Sequence, residues 1–556
     1  MVKTGKSTET SLIIVMGVCL FLYALWMCAQ PGSIADLWWQ LRIGDEIRLT
    51  HHIPRHDEFS WTCFGRPIVL HEWGSCLIFA ECYLHLGGLT GILIVEAVLA
   101  IVILEGLFAL LLTRSASPIV AFFLTLTAGR LCVNFLSPRP HLFTFICLLA
   151  SLSILFAFQK KHKITPAAFA LLIAVQIVWV NLHAAGPMFV AICICFAVGD
   201  GIHYFLELPK DKERAALYLK NVVVESVCGA ASLAAMIVNP FGFKVFGIFL
   251  STVSNRDLSS SGMATEWQPA DFHDTYGRAI EVFIFLIAFV LVATKRKQNI
   301  GDVIALIVLI FSAIYAVRNG PILGLAGSTI VAPYVAASFA ALVGRYPILE
   351  NLASLLRKKY FVYAMTVTVS LILVFSLGLY KVWTEDSPAE ASKISGFSNR
   401  VFMVKNEPED ACAFIEKEGI PPSLRLYNEY NSGGYIIWRL RNYPVFTSTE
   451  AFVYFGRVFD AYLQMDHLPF DWRSVIDHYN PQLVIMGTDD IQARLFLDAP
   501  DWALVYSDRP QSNDPTRTTN FVFVKRLPGN ADVIRRCRAD CPEVKAVAAR
   551  GYLSAK

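Results

Sequence analysis

Charge is scarce in this sequence. Only 17% of its 556 residues are Asp, Glu, Lys or Arg and 55% are hydrophobic, against roughly 25% charged in ordinary soluble domains. The formal net charge of +3 offers no concentrated basic surface of the kind that nucleic acid requires. Paired CxxC metal spacings are missing. The 13 cysteines lie mostly in apolar runs, where a thiol acts as a small hydrophobe. Cys412, Cys537 and Cys541 fall instead in the polar C-terminal part, and a Cys537–Cys541 disulfide is open to that end if it faces an oxidising space. The C-terminal part lacks GxGxxG and Walker patterns, so nucleotide binding has no support there. His71-Glu72 begins like an HExxH motif, but Ser75 stands where the second histidine belongs, so a zinc protease is unsupported.

Long apolar runs take the place of what is missing. A helix crosses a bilayer with about 20 apolar residues. Spans are predicted at 11–30, 89–112, 118–136, 141–158, 166–184, 187–206, 221–239, 277–294, 302–317, 321–343 and 360–381. The first follows Lys3 and Lys6, as a signal peptide would, yet its length favours an uncleaved anchor. Cys76 to Leu86 is short and carries Glu81 and His85, which favours an interfacial helix over a span. Eleven spans put the two ends on opposite sides. Basic loops mark the cytoplasmic side, and these hold Lys160, Lys161, Lys163, Lys210, Lys212, Arg214, Lys220, Lys295, Arg296 and Lys297. The N-terminus is therefore expected in the cytoplasm. The polar segments 137–141, 179–186, 239–242, 264–274 and 317–321 then share the outer face with loop 31–88.

Residues 1–382 thus read as an α-helical polytopic membrane domain whose first outer loop is 31–88. A polar linker follows at 383–405, then a soluble α/β domain at 406–527 and a charged tail at 528–556. Pro408 to Gly419 reads as a helix stopped by its glycine. LRLYNEY, GGYIIWRL, PVFTST, LVIMG, WALVYSD and NFVFVKR read as short strands. Phe241 to Val253 is amphipathic and suits the membrane interface.

Loop 31–73 concentrates Asp36, Asp45, Glu46, His51, His52, His56, Asp57, His71 and Glu72 with Trp38, Trp39, Trp61 and Trp73. Asp36 is either a general base on a hydroxyl or the N-cap of a helix starting at Leu37. The Trp38-Trp39 pair suits a membrane interface or a sugar-stacking platform. Asp57 in IPRHDEFS is read first as a loop-folding residue. Glu72 supplies a second acidic group, and with Asp36 is the candidate ligand set for a divalent cation. Arg139 and Arg318 either hold a phosphate or snorkel to headgroups. His183 needs a polar partner at its span end, and Asn181 is the nearest. Lone Glu225 reads as a buried, hydrogen-bonded residue.

These residues resemble the GT-C class of polytopic glycosyltransferases, and within it a group of bacterial membrane proteins. The likeness runs through Asp36-x-Trp38-Trp39, Gly44, Ile53-Pro54, Asp57, Phe59-Ser60 and Glu72-Trp73. It continues in Arg139-Pro140, Asn181-x-His183, Asn239-Pro240, Glu266-Trp267 and Arg318-Asn319, and in Tyr427-Asn428, Gly433-Gly434-Tyr435 and Pro444-x-Phe446. It implies an inverting transferase in a bacterial inner membrane, with a polyprenyl-phosphate-linked sugar as donor and a glycan, lipid or protein as acceptor. Catalysis would fall to Asp36 and Glu72. Substrate contacts would fall to Trp38, Trp39, Asp57, Arg139, His183, Glu266 and Arg318. The chain departs from the pattern at Gln40, where His is expected, and at Thr447 to Glu450, where Asp and Arg are expected. Those departures keep a non-catalytic assembly subunit in view. A lipid-linked glycan transporter is the other rival, and would place ionisable residues deep within spans.

Overall fold

The computed structural model describes residues 6–30, 32, 34–254, 265–346, 407–466, 472–508 and 519–540. The chain divides into two compact units: Met1–Gln30 with Leu93–Thr384, and Pro31–Ile92 with Glu385–Lys556. This corrects the expected boundary. The loop 31–88, assigned from sequence to the membrane domain, is packed with the C-terminal module.

The membrane unit is all helix. Among the described residues, eight helices are long and apolar enough to cross a bilayer: Thr10–Cys28, Leu89–Ser115, Pro118–Phe135, His141–Lys161, Pro187–Glu207, Lys212–Ala235, Thr275–Ala293 and Val317–Arg345. Pro166–Leu182 and Ile300–Tyr315 are shorter and also apolar. The predicted span 360–381 lies outside the described residues. Local chemistry sets the starts of these helices. Pro118, Pro166 and Pro187 open their first turns, where a missing N–H costs nothing. Asp211, Asp274 and Asn299 cap theirs through the side chain, satisfying donors that hydrocarbon cannot. Phe205, Phe285 and Val292 are exposed on helix faces, as lipid-facing residues would be.

Two contacts show how tightly the unit is packed. A Cβ at Gly199 would fall 2.0 Å from the Gly301 nitrogen, so two helices meet backbone to backbone there. Pro333, inside Ser328–Arg345, cannot donate to the carbonyl four residues back. Arg114 Nε supplies the missing donor, 3.1 Å from the Thr329 oxygen.

The second unit holds a four-stranded sheet. Its strands are β1 (Leu426–Asn428), β2 (Leu483–Gly487), β3 (Trp502–Ser507) and β4 (Asn520–Lys525), in the order β1-β2-β4-β3. β1 and β2 are parallel, and the other pairs are antiparallel. The helix Glu409–Lys417 ends before Gly419, whose φ of 59° is the expected left-handed stop. Two predicted strands are corrected. Gly433–Arg439 is a helix, and PVFTST contributes only an isolated bridge from Val445 to Ser60. Gly433 and Gly434 are there for close approach. Added Cβ atoms would lie 2.1 Å from the Thr447 oxygen and 2.6 Å from the Ala35 oxygen.

Loop 31–92 is stitched into this unit. Trp61 Nε1 donates to the Leu426 oxygen at 2.8 Å, Thr62 Oγ1 to the Phe446 oxygen at 2.6 Å, and Arg441 pairs with Asp45 at 2.7 Å. Helix Ala35–Thr50 crosses Trp73–His85 at Gly44, where a Cβ would fall 2.1 Å from the Cys76 oxygen. At 13 residues, Trp73–His85 is too short to span. The Phe241–Val253 prediction corresponds to the helix Lys244–Ser254. Cys541 lies outside the described residues, so the disulfide expectation lies there too.

Candidate functional site

In the membrane unit, three sequence-distant segments meet on one carboxylate. Arg139 precedes the helix His141–Lys161, Glu266 lies in a short turn before Thr275–Ala293, and Arg318 opens Val317–Arg345. Glu266 Oε2 is 2.7 Å from Arg139 Nη1, and its Oε1 is 3.2 Å from Arg318 Nη1. The Arg318 guanidinium also lies 4.0 Å from the Trp267 ring centroid, a cation–π contact. Backbone hydrogen bonds fix the turn: Ala270 N to the Ile314 oxygen at 3.0 Å, and Val317 N to the Gln268 oxygen at 3.0 Å. Burial would raise the Glu266 carboxyl, but the two guanidiniums overcome it and hold it at about 2.

At the same ends of neighbouring helices, His183 closes Pro166–Leu182. Its Nδ1 is 2.8 Å from Thr144 Oγ1, which accepts from Trp179 Nε1 at 2.9 Å. The threonine hydroxyl thus links the indole and the imidazole in one hydrogen-bonded chain. Asn181, the expected partner of His183, instead donates to the Ile177 and Val238 oxygens and accepts from Asn239. That pair ties two helix ends together. The sequence singled out His183 but not Thr144 or Trp179, which hold it. Thr144, a hydroxyl one turn inside an apolar run, was the available signal.

The opposite ends of these helices carry a second polar network. Asp200 accepts from Asn221 at 2.9 Å and from Asn299 at 2.8 Å, and Tyr334 donates to Asp302 at 2.6 Å. Buried Glu225 accepts from Gln159 at 2.6 Å, as its hydrogen-bonded reading requires. These bonds join helices to one another, which is packing chemistry.

In the sheet unit, Asp36 is half-buried in the first turn of Ala35–Thr50. The N-cap position belongs to Ile34, so the capping alternative for Asp36 is not what is seen. A carboxylate there gains from the helix dipole. Gln40 is one turn on, 2% exposed, and its Nε2 donates to Glu72 Oε1 at 3.3 Å. The residue standing in for the expected histidine thus still supplies a donor to Glu72. His71 Nε2 lies 3.7 Å from the other Glu72 oxygen. Glu450, noted in the sequence only as a departure, is drawn into this group. Burial, and then the charges of Asp57 and Glu72, push its carboxyl well above the ordinary range.

Three of the expected substrate contacts are buried. Trp38 is 1% exposed, with Tyr435 and Trp438 rings 4.9 and 4.7 Å away, and its Nε1 donates to Glu407 at 2.8 Å. Its faces are covered, so it is a core residue and no open stacking platform. Trp39 is also buried, beside Gly434. Asp57 is 3% exposed and accepts from Phe59 N, Ser60 N and Ser60 Oγ at 3.2, 3.3 and 2.5 Å. Those bonds fold the loop back on itself, the task first expected of it.

No protein-family model and no curated protein matches the sequence. Solved structures do resemble the fold. The oligosaccharyltransferase of Archaeoglobus fulgidus, solved with a tethered acceptor peptide, superposes with a TM-score of 0.50 at 10% identity, over 86% of this chain and 68% of that one. ArnT from Cupriavidus metallidurans, bound to undecaprenyl phosphate, gives a TM-score of 0.46 at 13% identity, over 93% of this chain and 98% of that one. The first likeness is one of fold. The chain is a polytopic, α-helical membrane protein whose fold is similar to that of the archaeal oligosaccharyltransferase, with a sheet-containing C-terminal region.

Proposed function

We propose that this protein transfers a sugar from a polyprenyl-phosphate carrier to an acceptor hydroxyl on the extracytoplasmic side of a bacterial inner membrane. The observation that carries the reading is the convergence of Arg139 and Arg318 on one carboxylate at a polar end of the membrane unit. Paired guanidiniums suit phosphate oxygens. In the reaction, Asp36 takes the acceptor's proton and the hydroxyl oxygen bonds to the anomeric carbon. The bond from that carbon to the phosphate oxygen breaks with inversion, and its electron pair leaves with the phosphate. Arg139 and Arg318 stabilise the charge that develops there. His183, held by Thr144, is a further polar group for the phosphate. Glu72, held by Gln40, is the second acidic group, and with Asp36 the pair to test for a divalent cation. The Lys/Arg bias of the loops supports the assigned sidedness.

The test is transfer from labelled polyprenyl-phosphate sugars to mixed acceptors by purified protein in lipid, with and without chelator. Asp36→Asn is expected to lose about 10²–10⁴-fold in turnover, the usual worth of a positioned base, and Arg318→Ala to abolish transfer, both with normal membrane insertion. Full activity in Asp36→Asn removes that base from the mechanism. An inert wild type that binds no lipid-linked sugar moves the reading to an assembly subunit.

A further inference from the structure

Glu105 carries a carboxyl into the depth of the bilayer. It lies roughly 15 Å from the nearer end of helix Leu89–Ser115, at 1.5 Å per residue, too deep for its short side chain to reach the headgroups. Across from it is Gly17, inside the span Thr10–Cys28, where an added Cβ would lie 3.5 Å from Glu105 Oε2. Among the described residues no donor reaches the Glu105 carboxyl, whereas Glu225 has Gln159. Glu105 is half-buried and its neighbour Gly106 is exposed, with open space where a Cβ would stand. Ile14, Val18, Val98 and Val102, on the same two helices, are 44–60% exposed. A polar group left alone on such a surface is costly, because lipid offers it no hydrogen bond.

We propose that this face binds a second copy of the chain, with the two Glu105 side chains paired across a twofold axis. In hydrocarbon a carboxyl group is cheapest as the uncharged acid. That acid has one O–H to give and a carbonyl oxygen to accept, so it is complementary to itself, and two copies close two hydrogen bonds. A twofold axis sets the same patch of each copy against the other, as self-pairing requires. Gly17 and Gly106 supply the approach. Association in lipid is driven by close packing and hydrogen bonds, and small residues let helix backbones come near. A foreign helix would need a matching polar group at this depth, whereas a second copy brings one by construction. The contact uses no residue given a role in transfer.

The experiment uses the full chain, labelled at its N-terminus with a donor or an acceptor dye, in vesicles of phosphatidylethanolamine and phosphatidylglycerol. Energy transfer is followed as added lipid dilutes the protein, and the wild type should pass from dimer to monomer. Glu105→Leu should weaken association by about five- to thirtyfold, the worth of polar contacts between helices in lipid. Gly106→Leu fills space that the chain itself leaves open, so it should weaken association as much while the melting temperature of the diluted protein stays unchanged. Glu105→Gln, whose amide also gives and accepts, should keep it. Val292→Trp, on another exposed helix, should change nothing. A wild type that is monomeric at every dilution overturns the proposal, whatever else covers this face. Association that ignores both Glu105→Leu and Gly106→Leu lies elsewhere on the molecule and overturns it too. Weakening by Gly106→Leu but not by Glu105→Leu overturns the pairing of the acids. Equal weakening by Val292→Trp marks non-specific crowding and overturns the assigned face.

Discussion

In the membrane unit, Glu266 sits between two guanidiniums and is held at about 2. In the sheet unit, Glu407 is met by one indole N–H, and burial pushes it up to about 7 despite that bond, with Glu429 adding to the rise. The same functional group is thus kept charged in one place and driven toward neutrality in the other. What differs is the partner. A cation offsets the loss of solvent where a neutral donor cannot. The units also cohere differently. Both bring helices backbone to backbone, at Gly199 in one and at Gly44 in the other, but the sheet unit adds an aromatic cluster around Trp38.

The largest effect that would break this contrast is at the aromatic cluster. Trp38→Ala removes a side chain held by Tyr435 and Trp438, and should cost about 3–5 kcal/mol. Limited proteolysis should then cut within 407–540 while the apolar helices stay protected. Equal loss of protection in both would show that the aromatic cluster is not specific to one unit. Next come the glycines. Gly44→Ala and Gly199→Ala place a methyl 2.1 and 2.0 Å from backbone, respectively, where no flexible side chain can yield. Each should cost about 1–3 kcal/mol as overpacking, seen as a lower melting temperature in lipid. A tolerated Gly199→Ala would mean that the helix contact is looser than its geometry.

The smallest effects are in pH, and they run in opposite directions. The ordinary glutamate value is 4.5. Glu407 is raised above it when folded, so the folded state holds a proton that the unfolded state has lost, and stability falls as pH rises from about 4.5 through 7. Glu407→Gln should therefore raise the melting temperature at pH 8 and leave it nearly unchanged at pH 4. Glu266 is lowered, so its contribution is present above about 4.5 and is lost as pH falls through about 2. Glu266→Gln should alter melting at pH 7 and lose that difference in strong acid. Matching pH trends in the two variants would remove the contrast.

The apolar helices were legible in the sequence because a run of about 20 apolar residues is hard to house anywhere but in a bilayer. The gathering of 137–141, 264–274 and 317–321 was also legible, since helices that alternate in direction bring every second connection to one side. Four of the six predicted strands stand, because Val, Ile, Phe and Tyr runs mark them. GGYIIWRL fails as a strand because the same residues suit a short buried helix, and its glycines answer to Thr447 and Ala35 rather than to a turn. The burial of Trp38 was hidden for a related reason. What covers it, Tyr435 and Trp438, comes from the far end of the chain, beyond any local pattern. Glu450 stands out in the sequence only as a misfit, because its neighbours Asp57 and Glu72 belong to the other end of the chain.

The interrupted sequence of the sheet unit sets a timetable for making the protein. Trp38 and its partner Glu407 are 369 residues apart. At roughly 5–20 residues per second of synthesis, helix Ala35–Thr50 waits on the order of 20–70 s for the strands and helices that cover its tryptophans. Throughout that interval an indole-rich segment has left the ribosome without its core. Secretion and insertion factors that shield apolar surface should therefore engage the nascent chain early, at its first loop, and let go only when its last quarter emerges.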